Sequence, residues 1–187
     1  MIKGLKIKLC MILILTGTLF SSVAYTRDFS IDQEFQVRKL SEHFSKKYGM
    51  KINVKREDGR LLVKFWDKGF FKNDWKLTAA GASFVRRLSK KICVNEKECD
   101  VLLKTHHAEN SFKNSSRLSL VKSQYKLVSV SWQILKSKIS PKSLLQMSLG
   151  DKEPLVDPDK NESSNEFNIR EMNTRTEIAF IPKSGVK

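Results

Sequence analysis

The 187-residue chain is 40% hydrophobic and 29% charged, a globular composition that excludes an intrinsically disordered chain. Its length allows one ordinary domain with short extensions. The formal net charge of +15 favours anionic partners (nucleic acid, acidic lipid or an anionic wall polymer) without choosing among them.

Residues 1–24 have the form of a secretory signal peptide. Lys3, Lys6 and Lys8 precede the apolar run Leu9–Leu15, which continues through Leu19 and Phe20, and Ser22-Val23-Ala24 supplies small residues for cleavage. The run is short for a membrane span, which needs about 20 apolar residues, although an uncleaved anchor is the alternative. Removing three lysines and no acid lowers the charge from +15 to +12. Cys10 lies too early in the run for a lipoprotein site, so no lipid anchor is expected. No later run reaches spanning length, which predicts a soluble protein without a transmembrane segment after cleavage.

Residues 25–49 form an N-terminal helical extension. Ser30 with Gln33 has the spacing of a capping box, Val37, Leu40, Phe44 and Tyr48 share one helical face, and Gly49 is a natural stop. His43 on this helix is read as a surface residue without a role. A hairpin follows, with strands near 51–55 and 61–66 joined at Asp58-Gly59. Phe70 and Phe71 are core candidates ahead of a polar loop ending near Trp75. The next helix, about 78–92, buries Phe84, Val85, Leu88 and Ile92. Its basic residues Arg86, Arg87, Lys90 and Lys91 suit a helix C-terminus and are weak evidence for nucleic acid.

Cys93 and Cys99 bracket a five-residue gap, and in an oxidising compartment they are expected to close a disulfide. The stretch Cys99–Leu135 then reads as a buried strand (Val101, Leu102, Leu103), a polar loop and a long helix covering the strand. Leu118, Val121, Tyr125, Val128, Trp132 and Leu135 fall on one helical face. Leu144–Leu149 is a further strand candidate closed by Gly150, residues 151–168 read as a long polar loop, and Thr176–Ile181 as a last strand. The order predicts an α+β two-layer sandwich, a mixed β-sheet with helices on one face, preceded by the N-terminal helix.

The acids are scattered, and there is no Gly-x-Ser-x-Gly, phosphate loop or His-Glu-x-x-His, so no enzyme and no cofactor is expected. His106 and His107, adjacent at a strand end, should point to opposite faces; with no third ligand nearby, no metal is expected. Asn114-Ser115-Ser116 forms a sequon relevant only in a eukaryotic secretory route. Trp66, Trp75 and Trp132 are expected to be mostly buried, which ranks nucleic-acid binding last.

Asn173-Thr174-Arg175-Thr176-Glu177-Ile178 resembles the Asn-Arg-Arg-Val-Glu-Ile signature that closes OmpA-like domains, the peptidoglycan-associating modules of outer-membrane protein A, motor stator proteins and peptidoglycan-associated lipoproteins. Phe71 with Leu77-Thr78, Leu118-Ser119 with Lys122-Ser123, and Gly150 with Pro154 resemble further family motifs in matching order. The resemblance covers about residues 60–183 and implies an OmpA-like domain over 50–183 with a tail at 184–187. It also implies a ligand pocket of Thr105, His107, Glu109, Lys122, Asn173 and Arg175. In the family an Asp and an Arg grip the diaminopimelate of the peptide stem. Here Lys122 stands at the Arg position and His107, fifteen residues earlier, at the Asp position. His107 when charged cannot accept from an ammonium, and Lys122 lacks the bidentate fork; Glu109 could supply the carboxylate. The implied protein is periplasmic, held at the outer membrane or cell wall through partners, and non-enzymatic. It would associate with peptidoglycan (weakly, or with binding lost) or serve as a subunit of an envelope-spanning complex such as a type IVB (Dot/Icm-type) secretion system. A ligand-free scaffold and a secreted basic protein for nucleic acid or acidic glycan are the alternatives.

Overall fold

The computed structural model describes residues 29–73, 75–93, 99–108, 116–155 and 166–183. The expected leader (1–24), Glu109, the sequon and the tail at 184–187 lie outside the described residues. Helix α1 (Ile31–Tyr48) starts as its sequence predicts: the Ser30 hydroxyl accepts from Gln33 N, and Gln33 Oε1 accepts from Ser30 N at 3.0 Å. It ends at Gly49 in the left-handed conformation, buries Val37, Leu40 and Phe44, and leaves Tyr48 largely exposed. Strands β1 (Ile52–Glu57) and β2 (Arg60–Trp66) form the hairpin. Its turn needs positive φ at both central positions, and Asp58 (49°) and Gly59 (73°) supply it.

The polar loop holds a small ribbon, β3 (Phe71–Lys72) with β4 (Lys76–Leu77), before helix α2 (Ala79–Ile92), capped by the Thr78 hydroxyl. Strand β5 (Cys99–His106), helix α3 (Ser116–Leu135), a short 3-10 turn (Pro141–Ser143) and strand β6 (Leu144–Gly150) follow. Helix α4 (Glu166–Asn173) begins in the last three residues of the stretch read as loop and runs beyond it, and strand β7 (Arg175–Pro182) is the last element described. The five-stranded sheet runs β1-β2-β7-β5-β6. Only the β5–β6 pair among these is parallel, joined by the α3 crossover. Alternation places Leu61, Val63, Phe65, Val101, Leu103, Ile178 and Phe180 on one face, where they form a single core with apolar residues of α1, α2 and α3. The expected α+β architecture is the one observed. A disulfide joins Cys93, past the end of α2, to Cys99 at the start of β5, across a Cα–Cα distance of 5.8 Å.

Helix α3 departs from expectation. Its apolar residues do share a face, but that face points outward: Leu118, Val121, Tyr125, Val128 and Trp132 are exposed, and Leu135 alone of the six packs partly on the core. The inward face is Ser119, Ser123, Lys126, Val130, Ser131 and Ile134. Hydrogen bonding explains the inversion. Ser123 Oγ donates to the Thr105 carbonyl at 2.6 Å, Thr105 Oγ1 donates to the Ser123 carbonyl at 2.8 Å, and Ser131 Oγ donates to Gln146 at 2.7 Å. Short hydroxyl side chains let the helix lie close to β5 and β6, where larger apolar groups would hold it off. Trp75 and Trp132, expected inside, are also exposed.

Helix α2 meets the β3 segment so closely that a Cβ on Gly81 would lie 2.7 Å from the Phe70 carbonyl oxygen. That oxygen is fixed as the acceptor of Thr78 N at 2.8 Å. Gly81→Ala should therefore lower stability by about 1–3 kcal/mol, despite the better intrinsic helix propensity of Ala. Chemical denaturation of the two proteins measures it.

Candidate functional site

The C-terminal end of β5 divides two polar centres. Alternation sends His106 to one face of the sheet and His107 toward α3. On the α3 side, Lys126 is 0% exposed. Its Nζ contacts the Asp67 carboxylate, lies 3.1 Å from His107 Nδ1 and 3.4 Å from the His106 carbonyl oxygen, and sits 5.4 Å from the centre of the Phe71 ring. An ammonium has only donors, so His107 Nδ1 is the accepting nitrogen. Asp67 follows β2, so the pair ties α3 to the far end of the hairpin. Thr105 and Ser123 exchange their hydrogen bonds beside it.

On the opposite face, Glu177 is the hub. It accepts from Arg175 Nε at 2.6 Å and has Lys64 Nζ at 3.5 Å and His106 Nε2 at 3.9 Å. Arg175, buried, also donates to the carbonyls of Asn173 (3.3 Å) and Glu153 (3.0 Å). Lys104 pairs with the Glu153 side chain at 3.2 Å, and Asn173 Oδ1 accepts from Leu155 N at 2.8 Å. Burial would raise the Glu177 carboxyl, but the hydrogen bond and charge of Arg175, with Lys64, hold it below its ordinary value. Burial, then the Arg175 charge, lowers His106 from 6.5 to about 4, outweighing Glu177. His106 is thus neutral near pH 7, and its Nδ1 donates to the Lys152 carbonyl at 3.2 Å.

The five described pocket candidates fall into two groups. Thr105 and His107 lie on the α3 side, with Lys122 half-buried on α3 one turn before Lys126. Arg175 lies on the Glu177 side, with Asn173 at the end of α4 just before it. Glu109 lies outside the described residues. The sequence reading missed Lys126 and Asp67. The signal was present: Ser119, Ser123, Lys126 and Val130 also recur at helical spacing, and only the preference for an apolar stripe hid them. Among the described residues, no three His, Cys, Asp or Glu side chains gather as a metal site would require, and no helix is long and apolar enough to cross a membrane.

No family model matches the chain, and no curated protein matches it in sequence. Solved structures do match. The cell wall anchor of the T6SS from Pseudomonas aeruginosa is 16% identical, with a TM-score of 0.58 over 79% of this chain and 96% of that one. A MotB-like protein from Desulfovibrio vulgaris is 18% identical, with a TM-score of 0.55 over 81% and 98%. The OmpA-like domain of FopA1 from Francisella tularensis is 12% identical, with a TM-score of 0.51 over 73% and 84%. The fold is OmpA-like. At these identities the likeness concerns the backbone, so the site must be argued from this chain's own residues.

Two outcomes test the site's energetics. Lys126→Met leaves the Asp67 carboxylate without its cation and should cost about 3 kcal/mol; a cycle with Asp67→Asn should show a coupling of at least about 1 kcal/mol. Between pH 6.5 and about 4 the unfolded chain binds more protons at His106 than the native one. Stability must therefore fall as pH drops through that window, by up to on the order of 3 kcal/mol, with Glu177 adding further loss below it. His106→Gln should flatten the upper part of the denaturation-versus-pH curve.

Proposed function

We propose that this is an exported, non-enzymatic protein of the cell envelope, whose OmpA-like domain serves as a structural subunit and touches peptidoglycan only weakly. The observation that carries this reading is the Lys126–Asp67 pair. A diaminopimelate stem carries an ammonium and carboxylates, so gripping it needs an anion and a cation both turned outward. Here Lys126, beneath the end of β5, is buried and neutralised by Asp67, Arg175 is committed to Glu177, and Lys122, at the position the resemblance gives to Arg, lacks the bidentate fork. The leader-like N-terminus supports export, the Cys93–Cys99 disulfide supports an oxidising compartment, and the periplasm satisfies both. The likeness to a cell wall anchor supports placement beside the wall. Among envelope machines, a type IVB (Dot/Icm-type) apparatus is suggested by size and fold analogy alone.

What remains for the wall polymer is charge. A basic surface attracts an anionic lattice over roughly a Debye length, about 10 Å at 0.1 M salt. Co-sedimentation with purified peptidoglycan should accordingly give pelleting at low salt that about 0.5 M salt abolishes, equally in wild type and Lys122→Ala. Salt-resistant pelleting that Lys122→Ala loses would overturn the reading and restore a working stem-peptide grip.

A further inference from the structure

Helix α3 turns an apolar stripe to solvent. Leu118, Val121, Tyr125, Val128 and Trp132 are 51%, 36%, 54%, 66% and 58% exposed. They follow one another at steps of three, four, three and four. The Trp75 ring, itself exposed, lies 5.4 Å from Tyr125 at one side of the stripe, and the exposed Leu120 stands next to Val121. The inward face of α3 is already committed through Thr105, Gln146 and Asp67. The helix therefore cannot roll the stripe inside without breaking those contacts.

Two features identify what fits. The strict three-four spacing makes a narrow seam, the form one helix offers another; a helix lying on a bilayer or a flat surface uses a broader apolar face. The rim is basic. Arg117 and Lys136 flank the seam, Lys136 standing 5.1 Å from the Trp132 ring centre, and the 20 residues of α3 contain no Asp or Glu. Two copies of α3 brought together would set one basic rim against the other. An acidic rim would instead pair with it, as the flanking positions of a coiled coil require.

We infer that α3 is a docking helix for an amphipathic helix of a partner protein, one with an apolar three-four seam flanked by Asp and Glu. This rests on the reading of the domain as an assembly subunit, and it names the partner's chemistry. The probe is a synthetic peptide of about four heptads with Leu along the seam and Glu at the flanks, titrated onto the full chain by fluorescence anisotropy. A peptide with the same seam and Lys flanks is the control. The acidic peptide should bind at least about tenfold more tightly than the basic one, and Val128→Glu should weaken it by at least about tenfold. Val128 projects into solvent, so the thermal midpoint of that variant should match the wild type. Equal binding of both peptides, or binding of neither, overturns the proposal. So does a dimer of the chain that Val128→Glu disperses, or attachment to anionic-lipid vesicles that the substitution abolishes while no peptide binds. Peptidoglycan co-sedimentation of the same variant separates the two readings. Salt-resistant pelleting would count against the assembly-subunit role, and the peptide titration would still decide the seam.

Discussion

The contact between the Lys126 ammonium and the Asp67 carboxylate constrains much of this structure. A buried ammonium is tolerated only where several acceptors converge on it. Here the acceptors come from two separate places: Asp67 after β2, and the consecutive residues His106 and His107 at the end of β5. Satisfying one side chain therefore fixes how α3, the hairpin and the central strand meet. It also fixes the rotation of α3 about its axis. Once Lys126 points inward, Ser119, Ser123 and Val130 must follow, and the apolar residues on the other side of the helix must face water.

That rotation has consequences on both sides of the sheet. Beneath it, hydroxyls replace the hydrocarbon expected between a helix and a sheet, and the reciprocal Thr105–Ser123 bonds stand in for part of the missing hydrophobic contact. Across it, Glu177 gathers Arg175 and Lys64, so the charged residues of the closing strand satisfy one another. The two centres lie on opposite faces of the sheet, as the alternation of β5 and β7 requires.

Much of the fold was legible in the sequence because its signals were local. The Ser30–Gln33 box, the Asp58-Gly59 turn and the strand runs near 61–66 and 176–181 each determine structure over a few residues, and each is found as read. The Cys93–Cys99 disulfide follows from proximity in the chain and an oxidising route. The site was not legible in the same way. Asp67 and Lys126 are far apart in sequence, and no spacing rule joins them. The stripe on α3 was seen correctly as a stripe and assigned to the wrong side, because periodicity reports that a face exists and not what covers it. The short helix α4 lies mostly between the stretch read as loop and the last strand, where no element was assigned.

The position of the apolar stripe changes what the likeness in fold can mean. An apolar helix face left in water is a cost that packing normally removes, and here a polar face has taken its place in the core. Of the inward polar residues, Ser123, Lys126 and Ser131 each have a specific partner, while the buried Ser119 hydroxyl has none among the described residues. The arrangement is therefore stable with the stripe outside, and the helix has become a surface element as well as a core element. The polar residues under the crossover helix are turned inward, so the large apolar side chains that this helix leaves in water lie on its outer face. The OmpA-like backbone positions that helix, while the exposure of its apolar face follows from this chain's own side chains.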